Sequence, residues 1–142
     1  MKKFLNILKE AAKYFWQLPQ NLLGLILIAF YKPEYKHIMD NGNVICFASK
    51  MGGGISLGKY SIVNDYYYDD NIAVVLTKNT VRHEAIGHYK QSLIFGWLYL
   101  PIIGLSSFTW CCIYGRIVPY THNGYYVFWT ESWADKLADV KR

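Results

Sequence analysis

An α+β domain is the fold class this sequence predicts, on three observations. The N-terminal stretch is amphipathic and edged with lysine, the middle is built of short β-branched and aromatic runs between turn signals, and two later stretches of helical character carry histidines and carboxylates. With 142 residues the chain is read as a single domain, 1–142, long enough for a modest core and too short for a separate substrate domain.

The first element is a helix. In "MKKFLNILKEAAKYFW" one face holds Phe4, Leu8, Ala11, Ala12 and Phe15, and the opposite face holds Asn6, Lys9, Glu10 and Lys13. Such a helix either lies on a bilayer surface or packs on the core of its own domain. The chain restarts at Pro19, and Leu22 to Phe30 is apolar all round yet too short to span a bilayer, so residues 1–31 are expected to contact membrane. No small-x-small cleavage site follows the apolar run, so it does not read as a signal peptide.

Composition points the same way. Charged residues make up 18% of the chain, below the usual share of about 25%, while Tyr numbers 13 and Trp 5. The net charge of +5 comes from scattered Lys and Arg, apart from an N-terminal cluster and the pair Lys141 and Arg142, which suits anionic lipid and not nucleic acid. Cys46, Cys111 and Cys112 are odd in number and lack the paired spacing of a disulfide framework, which fits a reducing compartment.

Strands are expected within residues 43–78, in "NVICFASK", "GISLGKYSIV" and "NIAVVLT", with "NGN", "MGGG" and "NDYYYDDN" as turns. The run Gly52 to Gly54 has no Gly-Lys-Ser/Thr after it and opens no helix, so it reads as a turn or bulge and not as a phosphate loop. Residues 79–142 then hold two helices around an apolar segment. The first begins at Asn79 or Thr80 as its cap and carries "HEAIGH".

In a regular α-helix His83 and His88, five residues apart, would stand about 140° from each other around the axis and could not share an ion. A π deformation absorbs the extra residue and turns both to one side, and Gly87 suits it. The downstream glutamate Glu131 lies in "FWTESWADKLADV", a second helical stretch in which Asp135 follows one turn later. Two histidines and a glutamate from a second helix form a three-ligand zinc set that leaves a position for water, and a carboxylate one turn on orients a histidine through its other nitrogen.

These stretches resemble the gluzincin metallopeptidases. "HEAIGH" and "TESWAD" are similar to the six-residue metal motif and the second-helix motif of dipeptidyl peptidase III, a likeness confined to those two stretches. More of the chain, from "LPQNLLGL" through "GISLG", "GHYKQS", "GWLYLPIIGL" and "YYVFWTESWADKLADV", resembles small zinc metallopeptidases of gut bacteria with a five-residue "HEYGH" motif. This sequence departs from them by the inserted residue, by Trp97 in place of proline and by Ala138-Asp139 in place of two glycines.

The resemblance implies a minimal zincin-like α+β domain: a small sheet, an active-site helix, an apolar helical hairpin, a second ligand-bearing helix and the amphipathic N-terminal helix. It implies zinc held by His83, His88 and Glu131, with Glu84 as the base that takes a proton from water and Asp135 behind a histidine ligand. His122 and Tyr125 are candidate stabilisers of an oxyanion; His122, like His37, otherwise reads as an ordinary surface or core histidine. The expected activity is hydrolysis of a peptide bond in a peptide or protein substrate, at a bacterial cytoplasmic membrane and with membrane lipid as partner. The alternatives are a membrane-associated protein with an inactive metal site and a small integral membrane protein in which the histidines are incidental.

Ser92 to Gly115 is uncharged, and as one straight helix it would carry the chain about 36 Å away from His88. Glu131 could then return only through the polar "RIVPYTHNGYYVFW". A shared metal therefore requires a hairpin, broken near Pro101 to Gly104, that either dips into the bilayer or forms the domain core.

Overall fold

The computed structural model describes residues 1–117 and 122–142, apart from the side chains of residues 2, 122 and 123. Helix α1 (Lys2–Trp16) runs through Gln17 into α2 (Leu18–Tyr31), where Pro19 sits in the first turn and removes no helical hydrogen bond. Lys32 ends α2 in the left-handed conformation (φ 50°), and Pro33 prevents its continuation.

Helix α1 is exposed along most of its length, and the chain turns polar side inwards at Gln17 and the start of α2. Gln17, Gln20 and Asn21 are buried, while Phe4, Leu8, Phe15, Leu22, Ile26 and Phe30 are exposed. Each buried amide finds partners on neighbouring elements: Gln20 Nε2 donates to Ser92 Oγ (3.0 Å) and to Gly96 O (2.8 Å), Ser92 Oγ donates to Gln17 Oε1 (2.7 Å), and Asn21 Oδ1 accepts from the Lys59 N–H (2.7 Å), while Gln20 Oε1 has no partner among the described residues. Of the two placements open to the amphipathic helix, its apolar face is not the one on the core.

Four strands form a mixed sheet in the order β1-β2-β4-β3: β1 (Tyr35–Ile38), β2 (Val44–Phe47), β3 (Gly54–Leu57) and β4 (Tyr60–Val63). The β1/β2 and β3/β4 pairs are antiparallel and β2/β4 is parallel, with Ile45 opposite Ser61. Alternation along β2 sends Ile45 and Phe47 to one face, against Val75, Val81 and Ala85, and Cys46 with Ala48 to the other, against Leu27, Ile28 and Tyr31 of α2.

The sequence misleads at three places. Residues 71–77 are not a strand: Asn71 Oδ1 accepts from the Ala73 N–H (2.9 Å) and starts the short helix α3 (Ile72–Val75), whose β-branched residues pack by helical spacing. Strand β1 went unpredicted because it lies at a sheet edge with Tyr35, Lys36 and Ile38 exposed and shows no clean alternation. Lys78, not Asn79 or Thr80, is the cap of α4 (Asn79–Arg82), and Asn79 Nδ2 instead donates to Lys141 O (3.2 Å).

The apolar segment is broken as the shared site requires, slightly earlier than expected. Helix α5 (Tyr89–Phe95) stops at Gly96 (φ 54°), a tight turn Gly96–Leu98 follows, and a π segment Leu100–Gly104 leads into α6 (Leu105–Ile117). The chain bends by 117° between the two arms. Glycine makes the break because its positive φ is open to it, whereas Pro101 falls in the first turn of the next helix, where proline is tolerated. Among the described residues no single helix is long and apolar enough to cross a membrane. Helices α7 (His122–Tyr125) and α8 (Trp129–Ala138) complete the α+β fold.

Candidate metal centre

Helices α4 and α5 form one continuous helix whose centre, His83–His88, is wound as a π-helix. Its wider turn brings the two histidines together, with ring centroids 4.6 Å apart and planes at 89°. Gly87 faces the backbone of α8 at Ala134: a Cβ at position 87 would lie 2.8 Å from the Ala134 carbonyl carbon and 3.0 Å from its Cα. The missing side chain thus lets α8 approach closely enough for Glu131 and Asp135 to reach the histidines.

Both imidazoles are held from behind. His83 Nδ1 pairs with Asp135 Oδ1 at 2.7 Å, and His88 Nδ1 with Gln91 Oε1 at 2.7 Å. Gln91 cannot turn round, because its Nε2 donates to Thr130 O at 2.8 Å. Its oxygen therefore faces His88, which must carry the proton on Nδ1 and present the Nε2 lone pair to the site. Asp135 orients His83 in the same sense.

The two Nε2 atoms converge on one oxygen, Glu131 Oε2, at 3.1 Å from His83 and 3.5 Å from His88. Three lone-pair donors aimed at each other in a buried pocket need a cation among them. A proton serves for His83: burial opposes its charging, but the hydrogen bonds to Asp135 and Glu131 outweigh burial and push it up to about 9. Burial likewise opposes the charge on Glu131, yet the hydrogen bond from His83 holds its carboxyl well below the usual carboxylate range. The donor set, two imidazole nitrogens and a carboxylate with fixed tautomers, equally fits a divalent metal ion.

A second carboxylate stands beside this set. The ligand atoms of His83, Glu84 and His88, all buried, lie within 4.8 Å of one another, so this group too could hold a metal ion. Glu84 Oε2 has no hydrogen-bond partner among the described residues. Burial raises the Glu84 pKa, against the pull of His88 and His83. Its carboxyl group packs on Gly54, where a Cβ would come within 2.7 Å of Glu84 Cγ, so Gly54 acts as a floor for Glu84 as well as the end of a turn.

Glu84, His88 and Glu131 line a cleft of about 430 Å³ between β3, the first π segment and α6. Tyr99 and Tyr125 also line it, and burial, with the nearby carboxylates, raises both phenols, so each stays a neutral O–H donor. Tyr99 spends its hydroxyl on Ser56 O (3.0 Å). The side chain of His122, the other candidate oxyanion stabiliser, lies outside the described residues.

Four contributors escape sequence reasoning: Gln91, Tyr99, Gly54 and Arg142. Gln91 had the one available signal, a polar side chain one turn after His88. Arg142, read from the sequence as part of a basic pair facing lipid, donates from Nε to Asp135 Oδ2 (2.9 Å) and stacks 3.3 Å over the Tyr126 ring. It steadies the carboxylate that steadies His83. Arg142→Ala is expected to weaken metal binding by about tenfold, and Arg142→Lys by less, as read by chelator competition.

Comparison of the chain with family models, curated proteins and solved structures finds no match in any of the three.

Proposed function

We propose that this chain is a zinc-dependent peptidase of minimal zincin-like build, seated on a membrane, with His83, His88 and Glu131 as ligands and Glu84 as general base. The observation that carries the reading is the convergence of the two Nε2 atoms on Glu131 Oε2. Ligand atoms held 2.0–2.1 Å from a tetrahedral zinc lie about 3.3–3.4 Å apart, and the distances of 3.1 and 3.5 Å bracket that value.

Bound zinc would supply Lewis acidity, lowering the pKa of a water molecule and polarising a carbonyl. The rest belongs to the chain. Glu84, unpaired at Oε2 and raised in pKa by burial, takes a proton from the attacking water and releases it to the leaving nitrogen. Tyr125, kept neutral, donates to the developing oxyanion. β3, an edge strand along the cleft, suits an extended peptide. The outward apolar faces of α1 and α2, with Lys3, Lys9 and Lys13 on α1, support a seat on anionic lipid.

A metal-binding protein without turnover is the rival reading, and the inserted residue, which winds His83–His88 as a π-helix and departs from the five-residue motif, favours it. Both readings require metal. Purified wild type is expected to hold one zinc per chain, with affinity that rises with pH up to about 9 because zinc displaces the proton on His83. In the metal-free protein the sign is opposite: His83, raised from 6.5, contributes stability in full below about pH 6.5 and loses it as the pH climbs through about 9. Zinc titration and thermal melts across pH 6–10 check both, and a zinc affinity that does not depend on pH contradicts the ligand role of His83.

A further inference from the structure

The cleft has two chemistries. Its floor holds Glu84, His88 and Glu131, while its mouth is rimmed by Leu23 of α2 and by Leu105 and Phe108 of α6. Those rim residues are exposed, Leu105 at 62% and Phe108 at 67%, so the apolar rim faces outwards and does not close a core. Soluble surfaces seldom gather large apolar side chains around a charged floor without a ligand or partner to cover them.

The rim is also continuous with the surface assigned above to lipid. Leu23 belongs to the outward apolar side of α2 with Leu22 and Ile26. Helix α2 is pinned to the turn that carries exposed Trp97 and Leu98 through the bond from Gln20 to Gly96 O. Trp97 in turn donates to Phe15 O at the end of α1 (2.8 Å). One outward apolar band therefore links α1, the 96–98 turn, α2 and the mouth of the cleft. A molecule reaching the floor passes through that band.

We infer that the cleft receives its substrate from the bilayer side, as an apolar, extended segment of a membrane-resident polypeptide, with a bulky side chain lodged among Leu23, Leu105 and Phe108. This rests on the peptidase reading for its chemistry, in which water adds hydroxyl to the carbonyl carbon and hydrogen to the nitrogen as the C–N bond breaks. The binding claim itself is independent of turnover. A volume of about 430 Å³ lies within the range of about 300–1,000 Å³ usual for ligand sites, enough for a few apolar side chains and not for a folded domain.

The test uses a Leu- and Phe-rich peptide bearing a benzophenone side chain, either anchored by a myristoyl chain in vesicles of phosphatidylethanolamine and phosphatidylglycerol or free in solution. Zinc-loaded Glu84→Gln protein is photolysed with each, labelled residues are located by mass spectrometry, and wild-type turnover is followed in parallel. The vesicle-held peptide is expected to label the cleft rim about tenfold more than the free one, Phe108→Glu to abolish that preference with zinc content unchanged, and Phe108→Leu to keep it. Rim labelling without turnover supports the inference and sinks the peptidase reading. Cleavage of free and anchored peptide at equal rates, with labels off the rim, overturns the inference and leaves that reading standing, while neither labelling nor cleavage overturns both.

Discussion

Replacing Glu131 by Ala is expected to strip most of the zinc from the protein, lowering affinity by at least about 100-fold. Its Oε2 is the atom on which both histidines converge, so its loss leaves the two Nε2 atoms without the anion they share, with Glu84 beside them and Asp135 only behind His83. The substitution also separates the two ligand sets the pocket offers. If Glu131 is the third ligand, Glu131→Ala loses metal and Glu84→Ala retains it; if Glu84 is the ligand, the outcomes exchange. Zinc content after gel filtration, followed by chelator competition, reads both variants. Full zinc retention in Glu131→Ala removes it from the site.

Gly87→Val is expected to destabilise the fold by about 3 kcal/mol or more and to abolish metal binding with it. The obstacle is the α8 backbone at Ala134, which cannot rotate aside as a side chain would. Making room moves the helix that carries Glu131 and Asp135. Gly87→Ala meets the same backbone with one carbon and is expected to cost about 1–3 kcal/mol, despite the better helix propensity of alanine. Valine is worse, because its branched Cβ also resists the deformed turn. Gly52→Ala is the control: a Cβ there meets nothing within 4 Å, and the change is expected to stay within about 0.5 kcal/mol. Urea melts with zinc titration check the series, and a Gly87→Val protein that melts and binds like wild type contradicts the close approach of α8.

What could be read from the sequence was what local spacing encodes. Five residues between His83 and His88 forced a choice between separated histidines and a π turn, and the π turn is present. Glu131 and Asp135 were legible for the same reason, being one turn apart on a helix. What stayed hidden depends on contacts distant in sequence. Gln91 acts through Thr130, Arg142 through Asp135 and Tyr126, and Gly54 by leaving room for Glu84; none of these pairings leaves a periodic trace.

The errors in secondary structure have local causes. A β-branched run at 72–75 became helix because Asn71 caps it, and the hairpin turned at Gly96 because a positive φ breaks a helix more sharply than a proline in a first turn. Hydrophobic patterning identified the apolar face of α1 but read α2 as apolar all round and so did not show which side of α2 turns inwards. Gln17, Gln20 and Asn21 decide that by finding buried partners on Ser92, Gly96, Tyr14 and Lys59.

Turnover of an apolar peptide by Glu84→Gln, measured at full zinc occupancy beside wild type, tests the central claim most directly. The amide keeps the shape of the carboxylate but cannot accept a proton, so the variant is expected to hold zinc as wild type does and to lose activity by about 100-fold or more. Equal turnover by the two zinc-loaded proteins would contradict the assignment of Glu84 as the base, and with it the peptidase chemistry proposed for this site.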